Sequence, residues 1–265
     1  MMILLVDIGN SRIKWAHLYA GKRSQQFAQD YSQKTADVIL LDLLKDDSRI
    51  KQLVLISVLD AAFVQKITGH CEKLGVELQV IGSQAAAYGI KNAYDVPKYL
   101  GADRFVGLVA AHQLMPNKHC IIISCGTAIT IDAISVTGQH LGGLILPGLR
   151  SFSDDLIKKA ALLSTPTTPK TTLFAKNTAD AINGGRIYGL VEAINGISSR
   201  MKGELVEINN LEESINTMIP VQTILCGGDA KLIHHYLSNS AQREDDWLMQ
   251  GLQFIAESKF PLVSK

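Results

Sequence analysis

Two segments of this chain repeat one design 117 residues apart, and this repeat limits the possible folds more than any other feature. Each segment has an apolar run, a small polar residue, a turn glycine, a side chain with a hydroxyl or an amide, a second strand-like run and a closing glycine. The turn glycines are Gly9 and Gly126, and the closing glycines are Gly21 and Gly138. The shared offset predicts a duplicated fold in which each half begins with a β-hairpin.

The turn glycines also indicate what the hairpins bind. Because a glycine has no Cβ, its backbone N–H group and those of its neighbours can approach an anion closely. Asn10, Ser11 and Thr127 follow these glycines and add side-chain donors for phosphate oxygens. A plain hairpin with a glycine turn is the alternative, and it would be favoured if only one copy were present. The second copy favours a phosphate-binding loop in each half.

Two charged residues flank the first turn. Asp7 ends the first apolar run, and a carboxylate there would hold Mg²⁺ through water, because Mg²⁺ releases its waters reluctantly. Lys14 lies on the strand that leaves the turn and could reach a phosphoryl group in transfer. These residues extend the phosphate interpretation of the first hairpin to phosphoryl transfer.

The composition excludes several classes of partner. The formal net charge of the 265 residues is +1, and the chain has no basic run of the kind that follows a nucleic-acid backbone. The first apolar run ends at Asp7, which makes it too short for a signal peptide, and no later run approaches the length of about 18 residues that spans a membrane. The four cysteines form no CxxC pair, which is typical of free thiols in a reducing compartment. We expect a cytoplasmic protein with no nucleic-acid partner and no membrane partner.

Strand-like runs and helical patterns alternate along the chain, which is typical of an α/β protein. We expect strands at residues 2–7, 12–20, 23–29, 53–58, 77–81, 140–146 and 221–225, besides those of the second hairpin. We expect helices at residues 36–44 and 61–74, from 104 to about 115, from 148 to 163, between 178 and 201, and at 246–259, with an exposed loop at 164–172. Each half begins with three strands and then alternates with helices. This order predicts two duplicated ribonuclease-H-like (actin-like ATPase) domains with mixed sheets flanked by helices, at residues 1–116 and 117–265.

Two further segments carry residues suited to chemistry. Asp103 and Arg104 follow a glycine just ahead of an apolar helix, where an aspartate can simply cap the helix. The same pair suits phosphoryl transfer to an alcohol, because the carboxylate accepts the hydroxyl proton while the guanidinium orients an anionic group. The second segment has Gly227 and Gly228 between a buried strand and a helix, where paired glycines let a base or a ribose lie close to the backbone. An ordinary strand-to-helix turn remains the alternative there.

Five motifs occur in an order that resembles one family over nearly the whole chain. The motifs are Asp7-Ile8-Gly9-Asn10-Ser11, Gly101-Ala102-Asp103-Arg104, Gly126-Thr127-Ala128-Ile129-Thr130-Ile131-Asp132, Gly142-Gly143-Leu144-Ile145-Leu146-Pro147-Gly148 and Asn177-Thr178-Ala179. Together they resemble bacterial type III pantothenate kinase. The resemblance implies ATP-dependent phosphorylation of pantothenate to 4′-phosphopantothenate, the first committed step towards coenzyme A. It also implies a homodimer with the pantothenate pocket near the subunit interface, and the use of Mg²⁺ with K⁺ or NH₄⁺.

The resemblance also implies roles for particular residues. Asp103 matches the general base of the family. The residues that match its first ATP phosphate loop are Asp7, Ile8, Gly9, Asn10, Ser11, Arg12, Ile13 and Lys14, and Thr127 matches an ATP contact in the second loop. The residues that match its pantothenate contacts are Tyr94, Gly101, Ala102, Asp103, Arg104 and Thr178. Packing at an interface is the alternative for Tyr94, and a helix N-cap is an alternative for Thr178 that is compatible with substrate binding.

One residue departs from the family pattern. The second loop of the family usually begins with an aspartate that is associated with the monovalent cation, and this chain has Ser124 at that position. A serine hydroxyl is a neutral and weaker cation ligand than a carboxylate. The K⁺ site, and any need for K⁺, is therefore in question, whereas Asp7, Asp103 and Asp132 are all retained.

Two other functions remain open at this point. A kinase of the same fold could act on another small alcohol such as a sugar, although the chain lacks the cysteine-rich zinc pattern of one large group of sugar kinases. A non-catalytic relative could act as an accessory or regulatory binding protein. Retention of Asp7, Asp103, Arg104 and Thr127 argues against that role, because a protein that only binds has no need of a base.

Overall fold

Strands and helices alternate through both halves of the computed structural model, which describes residues 1–31, 34–153, 169–211, 219–238 and 240–258. The strands are β1 (Met2–Ile8), β2 (Arg12–Tyr19), β3 (Lys22–Arg23), β4 (Phe27–Asp30), β5 (Ile50–Ser57), β6 (Glu77–Val80), β7 (Ala86–Ala87), β8 (Ile90–Lys91), β9 (His119–Cys125), β10 (Ala128–Ile134), β11 (His140–Pro147), β12 (Val221–Cys226) and β13 (Gln242–Arg243). The helices are α1 (Ala36–Asp46), α2 (Ala61–Leu74), α3 (Ala102–Leu114), α4 (Thr178–Leu211), α5 (Ala230–Tyr236) and α6 (Trp247–Glu257), with a 3₁₀ turn at Pro97–Tyr99.

The two main sheets have the same topology. The first has the strand order β3-β2-β1-β5-β6 with β4 beside β2, and the second has the order β11-β10-β9-β12-β13. In both sheets the opening hairpin is antiparallel, and the next two strands lie parallel to the first strand of that hairpin. The predicted α/β fold, with two duplicated halves built on mixed sheets, is therefore confirmed.

The two opening hairpins differ in one detail. Ile8 pairs with Ile13 across a turn of four residues, whereas Cys125 pairs with Ile129 across a turn of three. The closing glycines, Gly21 and Gly138, both have left-handed φ angles, +74° and +81°. Glycine adopts this conformation without the steric penalty of a Cβ, which explains why both hairpins end in this residue.

The chain divides into two compact units, and the first unit is made of two separate segments of the chain. The first unit contains Met1–Leu114 together with the segment from Asp246 onward, and the second contains Met115–Asp245. The predicted second domain, residues 117–265, is therefore too long, because α6 belongs to the first unit. Periodicity indicates that α6 is a helix but does not indicate the surface on which it packs.

Several smaller elements also differ from prediction. The expected strand at 23–29 consists of β3 and β4, which both pair with β2. The two-residue strands β7, β8 and β13 were not predicted, because two residues are too few to show an alternating pattern. Residues 149–153 are helical, as expected after Pro147. The rest of that predicted helix, 154–163, and residues 164–168 of the predicted loop lie outside the described residues.

In the first unit, one face of the sheet packs against α1 and α2. The core there includes Leu4, Val6 and Ile8, which alternate along β1 as expected for residues on one face of a strand. α6 packs closely against α3, where the indole N–H of Trp247 donates to Gly107 O at 3.1 Å. A Cβ at Gly251 would lie 2.5 Å from Val106 O, so only glycine allows this approach. α6 thereby supports the helix whose first turn contains Asp103.

In the second unit, the sheet packs against α4 and α5 through a separate apolar core. Asp132, which lies in the second repeated motif, is 2% exposed and His140 is fully buried. Their side chains pair through Oδ1 and Nε2 at 3.1 Å. Among the residues described in either unit, no helix has the length and apolar character needed to cross a bilayer.

Candidate active site

Asp7 and Lys14 face each other across the first hairpin. The register of β1 and β2 pairs the two residues directly, so their side chains share one face of the sheet. Lys14 Nζ lies 3.3 Å from Asp7 Oδ2. Asp7 is 6% exposed, so its carboxylate is largely buried near the end of β1.

The ionisation of Asp7 is shifted by its surroundings. Burial raises the pKa of Asp7, the positive charge of Lys14 opposes this effect, and the negative charge of Asp103 raises the pKa further. The net direction is upward, because removal from water costs the carboxylate more than its ion pair returns. The charge of Asp103 therefore acts on Asp7 in the folded chain, although the two residues are far apart in the sequence.

The start of α3 holds Asp103 in a fixed orientation. Asp103 Oδ1 accepts a hydrogen bond from the backbone N–H of Arg104 at 2.8 Å. A Cβ at Gly101 would lie only 2.6 Å from that same oxygen, so a larger residue would displace the carboxylate. Asp103 is the second residue of α3 and accepts from the next N–H along the chain, so it lies inside the first turn and does not occupy the N-cap position of the capping alternative.

Arg104 and Tyr94 form a second part of the site. Arg104 is 7% exposed, and its Nη1 donates to the hydroxyl of Tyr94 at 2.6 Å. The guanidinium carbon also lies 5.4 Å from the centroid of the Tyr94 ring, within the range of a cation–π interaction. The structure therefore places Tyr94 against a predicted substrate-binding residue.

Polar residues that the sequence analysis did not select hold this substrate segment. Asn92 Oδ1 accepts from the N–H of Tyr94 at 3.1 Å, and Asn92 Nδ2 donates to Pro97 O at 3.1 Å. Ser83 Oγ donates to Leu100 O at 2.7 Å, just before Gly101. An Asn two residues before an aromatic residue is a turn signal that could have identified Asn92, whereas nothing in the local sequence points to Ser83.

The first turn presents polar groups to solvent. The N–H of Gly9 donates to Arg12 O at 3.1 Å and closes the turn. Asn10 and Ser11 at its tip are exposed, so both are accessible to a ligand. Ile8 and Ile13, also predicted to contact ATP, are fully buried, so the structure does not expose either residue to a ligand.

The second turn is packed tightly on its inner side. The N–H of Gly148 donates to Thr127 O at 3.2 Å, and a Cβ at Gly148 would overlap the carbonyl oxygens of Gly126 and Thr127. Gly227 has a left-handed φ of +100°, and a Cβ there would overlap the backbone of Cys125. Two motifs that are distant in the sequence therefore support the turn that exposes Thr127.

Ser124 lies in β9 between two other strands. Thr130 of β10 and Cys226 of β12 are its paired neighbours, and all three are uncharged. Ser124 is half-buried, and it occupies the place in the second hairpin that Asp7 has in the first. Within the ranges that the structure describes, no cluster of three or more His, Cys, Asp or Glu side chains could hold a metal ion.

Thr178 is the exposed first residue of α4. The helix is capped by Asn177, whose Oδ1 accepts from the N–H of Asp180 at 2.9 Å. Asn177 Nδ2 also donates to Asp180 Oδ2 at 2.8 Å, so a contact between the two side chains supports this cap. The N-cap alternative for Thr178 is therefore wrong, and capping does not account for its hydroxyl.

Comparison with known proteins finds relatives that match most of the chain. The sequence profile of the type III pantothenate kinase family matches residues 3–200. The type III pantothenate kinase of Nitrosococcus oceani is 33% identical over 266 residues, which cover 97% of this chain and 94% of that protein. The type III pantothenate kinase of Janthinobacterium sp. strain Marseille is 33% identical over 278 residues, which cover 98% and 99% of the two chains.

A solved structure shows the same fold at lower identity. It is a conserved protein from Campylobacter jejuni, assigned to the Baf family of transcriptional activators, with a TM-score of 0.58 and 21% identity. The match covers 96% of this chain and 97% of that one. From the profile match and the two full-length relatives, this chain belongs to the type III pantothenate kinase family.

Proposed function

We propose that this kinase transfers the γ-phosphoryl group of ATP to the 4′-hydroxyl of pantothenate, with Asp103 as the general base. The family assignment supports the overall reaction, which is the phosphorylation of pantothenate in coenzyme A biosynthesis. The approach of the Asp103 and Asp7 carboxylates in one unit is the observation that supports the assignment of the base.

In this proposal Asp103 accepts the proton of the attacking hydroxyl. Its Oδ1 is held by the N–H of Arg104, which leaves Oδ2 for the substrate. As the new bond between oxygen and the γ-phosphorus forms, the bond from that phosphorus to the bridging oxygen breaks and ADP leaves. General-base assistance of this kind typically contributes about 10²–10⁴-fold to the rate.

Arg104 is suited to orient pantothenate, which carries a carboxylate. Its guanidinium is largely buried and already bonded to the hydroxyl of Tyr94, so its position is well defined. A buried guanidinium binds an anionic group more strongly than an exposed one, since less water competes. Tyr94 then contributes ring surface beside the same group. Thr178 is the remaining proposed pantothenate contact, through an exposed hydroxyl that does not cap its helix.

The first turn is the proposed site of the ATP phosphates. Exposed Asn10 and Ser11 provide donors, and Lys14 provides a positive charge beside them. Thr127 contributes a hydroxyl from the second turn. The paired glycines between β12 and α5 are proposed to approach the adenosine, because residues without a Cβ let a base or a ribose lie close to the backbone.

Mg²⁺ fits the residues around Asp7. Mg²⁺ prefers oxygen ligands and is usually bound by one or two carboxylates together with substrate phosphates and water. Asp7, with Asp103 nearby, offers such carboxylates. Bound there, Mg²⁺ would neutralise charge on the ATP phosphates. A K⁺ or NH₄⁺ site at Ser124 has less support, since that side chain provides only a neutral oxygen.

We also propose that the protein is a homodimer and that it is located in the cytoplasm. Leu144 and Ile145 are 48% and 62% exposed on β11, which is an edge strand. Exposed apolar side chains on an edge strand are typical of a surface that is covered by a partner. Light scattering during gel filtration would distinguish a dimer from a monomer.

Release of ADP by the purified protein tests the proposed reaction. The assay contains ATP, Mg²⁺ and one alcohol from a panel of pantothenate, glucose and glycerol. We expect turnover with pantothenate and none with glucose or glycerol. Turnover of glucose or glycerol with no turnover of pantothenate would reject pantothenate as the substrate. No turnover with any of the three alcohols would favour the accessory role. Asp103→Asn serves as the inactive control.

A further inference from the structure

Tyr31 lies directly after β4 and contacts the turn between β1 and β2 at two backbone carbonyls. Its hydroxyl donates to Gly9 O at 3.0 Å, and its own N–H donates to Ser11 O at 3.3 Å. The preceding residue, Asp30, forms an ion pair with Arg12, with 2.9 Å between Oδ1 and Nε. Three contacts therefore hold this turn from the side of β4.

The bond to Gly9 O orients the peptide plane between Gly9 and Asn10. In a trans peptide the C=O and the N–H point in opposite directions. Because Gly9 O is turned toward the Tyr31 hydroxyl, the N–H of Asn10 points away from Tyr31. That N–H is one of the backbone donors that a glycine turn offers to an anion.

The Tyr31 hydroxyl keeps its proton under ordinary conditions. Partial burial is the main cause that raises the pKa of Tyr31, and the negative charge of Asp7 adds to it. A tyrosine with a raised pKa stays neutral at physiological pH and remains a hydrogen-bond donor. The hydroxyl can therefore donate to Gly9 O at neutral pH.

We infer that Tyr31 is a positioning residue for ATP, which holds the first turn in the conformation that presents Asn10 and Ser11 to the phosphates. The inference rests on the proposed role of this turn in ATP binding. Tyr31 acts through the turn and not on the reacting atoms, so its effect is specific to ATP. None of the sequence motifs contains it.

Steady-state kinetics of Tyr31→Phe test this inference. The variant keeps the ring and the backbone bond to Ser11 and loses only the hydroxyl. Loss of one ordinary hydrogen bond corresponds to about a three- to tenfold change in an equilibrium constant. We expect the KM for ATP, and the Kd of ATP measured by calorimetry, to rise by that factor, while the KM for pantothenate stays unchanged and the Tm falls by no more than about 2–4 °C, as loss of about 1 kcal/mol produces in a chain of this size. Tyr19→Phe is the matched control, because Tyr19 is 59% exposed at the far end of β2.

Three outcomes would overturn the inference: an unchanged KM for ATP, equal increases in both KM values, or a fall in Tm well beyond about 4 °C, which would mean that the hydroxyl stabilises the whole fold. Asn10→Ala, measured in parallel, separates this inference from the proposed function. If Asn10→Ala raises the KM for ATP and Tyr31→Phe does not, only the role of Tyr31 is rejected. If neither variant changes it, the proposed role of the turn is rejected as well.

Discussion

The carboxylate of Asp103, in the first turn of α3, lies close enough to Asp7 at the end of β1 for its negative charge to raise the pKa of Asp7. Two acidic groups that approach each other in a partly buried site repel each other when both are ionised. Lys14 offsets part of this repulsion, but the net effect on the pKa of Asp7 is upward, and functional sites are where shifts of this kind are concentrated.

Asp103→Asn is expected to lower kcat by about 10²–10⁴-fold, because an amide cannot accept the hydroxyl proton. The amide oxygen can still accept the hydrogen bond from the N–H of Arg104, so the Tm should change little. Asp60→Asn is a matched control, since Asp60 also serves a helix N-terminus, where its Oδ1 accepts from Phe63 N at 2.9 Å. A near-normal kcat in Asp103→Asn, or a large loss of Tm with little loss of rate, would show that Asp103 is structural.

Asp7→Asn is expected to raise the thermal stability of the protein and to lower its activity. Because the folded state raises the pKa of Asp7, it binds the proton more tightly than the unfolded state does. The free energy of unfolding therefore falls as pH rises through the window between the ordinary pKa of an aspartate and the raised value. At pH 7 the neutral amide should raise the Tm, while the loss of a magnesium-site carboxylate lowers kcat by about 10- to 100-fold.

Thermal unfolding from pH 4 to pH 8 checks this prediction, and the stability loss with rising pH should be smaller in Asp7→Asn. Asp47→Asn is the opposite control, because hydrogen bonds from Arg49 lower the pKa of Asp47 to about 2. That variant should not gain stability at pH 7. A lower Tm in Asp7→Asn would mean that its ion pair with Lys14 outweighs the cost of burial.

Gly148→Ala is expected to displace the second turn. An added methyl group would overlap two carbonyl oxygens of that turn, which cannot move as freely as a side chain. Overpacking of this kind costs about 1–3 kcal/mol, and we expect a lower Tm together with a higher KM for ATP. Gly196→Ala in α4 is the control, because a Cβ there meets nothing within 4 Å. Equal kinetics in the two variants would contradict the proposed packing of the turn.

Ser124→Asp is expected to increase the dependence of activity on K⁺. A carboxylate binds a monovalent cation more tightly than a hydroxyl does. The wild-type enzyme should lose little activity when NaCl or Tris replaces KCl, and the variant should lose more. Strong activation of the wild type by low concentrations of K⁺, unchanged in Ser124→Asp, would show that other oxygens define the cation site.

Local features of the chain were sufficient to predict most of the fold. The apolar runs before Gly9 and Gly126, together with these turn glycines, predicted the hairpins, because these signals depend on neighbouring residues. The duplicated strand order followed from the repeat. Motif order predicted the family, which the comparisons confirm. The assignment of α6 to the second half was wrong, since a helical pattern does not specify its packing partner.

The approach of Asp103 to Asp7 was decided by the tertiary structure. Sequence motifs identified each residue, but the effect of one charge on the other depends on the place of β1 in its sheet and on the packing of α3 against α6. The contacts of Tyr31 with Gly9 and Ser11 likewise arise only when β4 pairs with β2. Propensity and turn chemistry act between neighbours in the chain, and the sequence determines them by itself. Contacts between distant segments depend on side-chain packing in three dimensions, which no local pattern records.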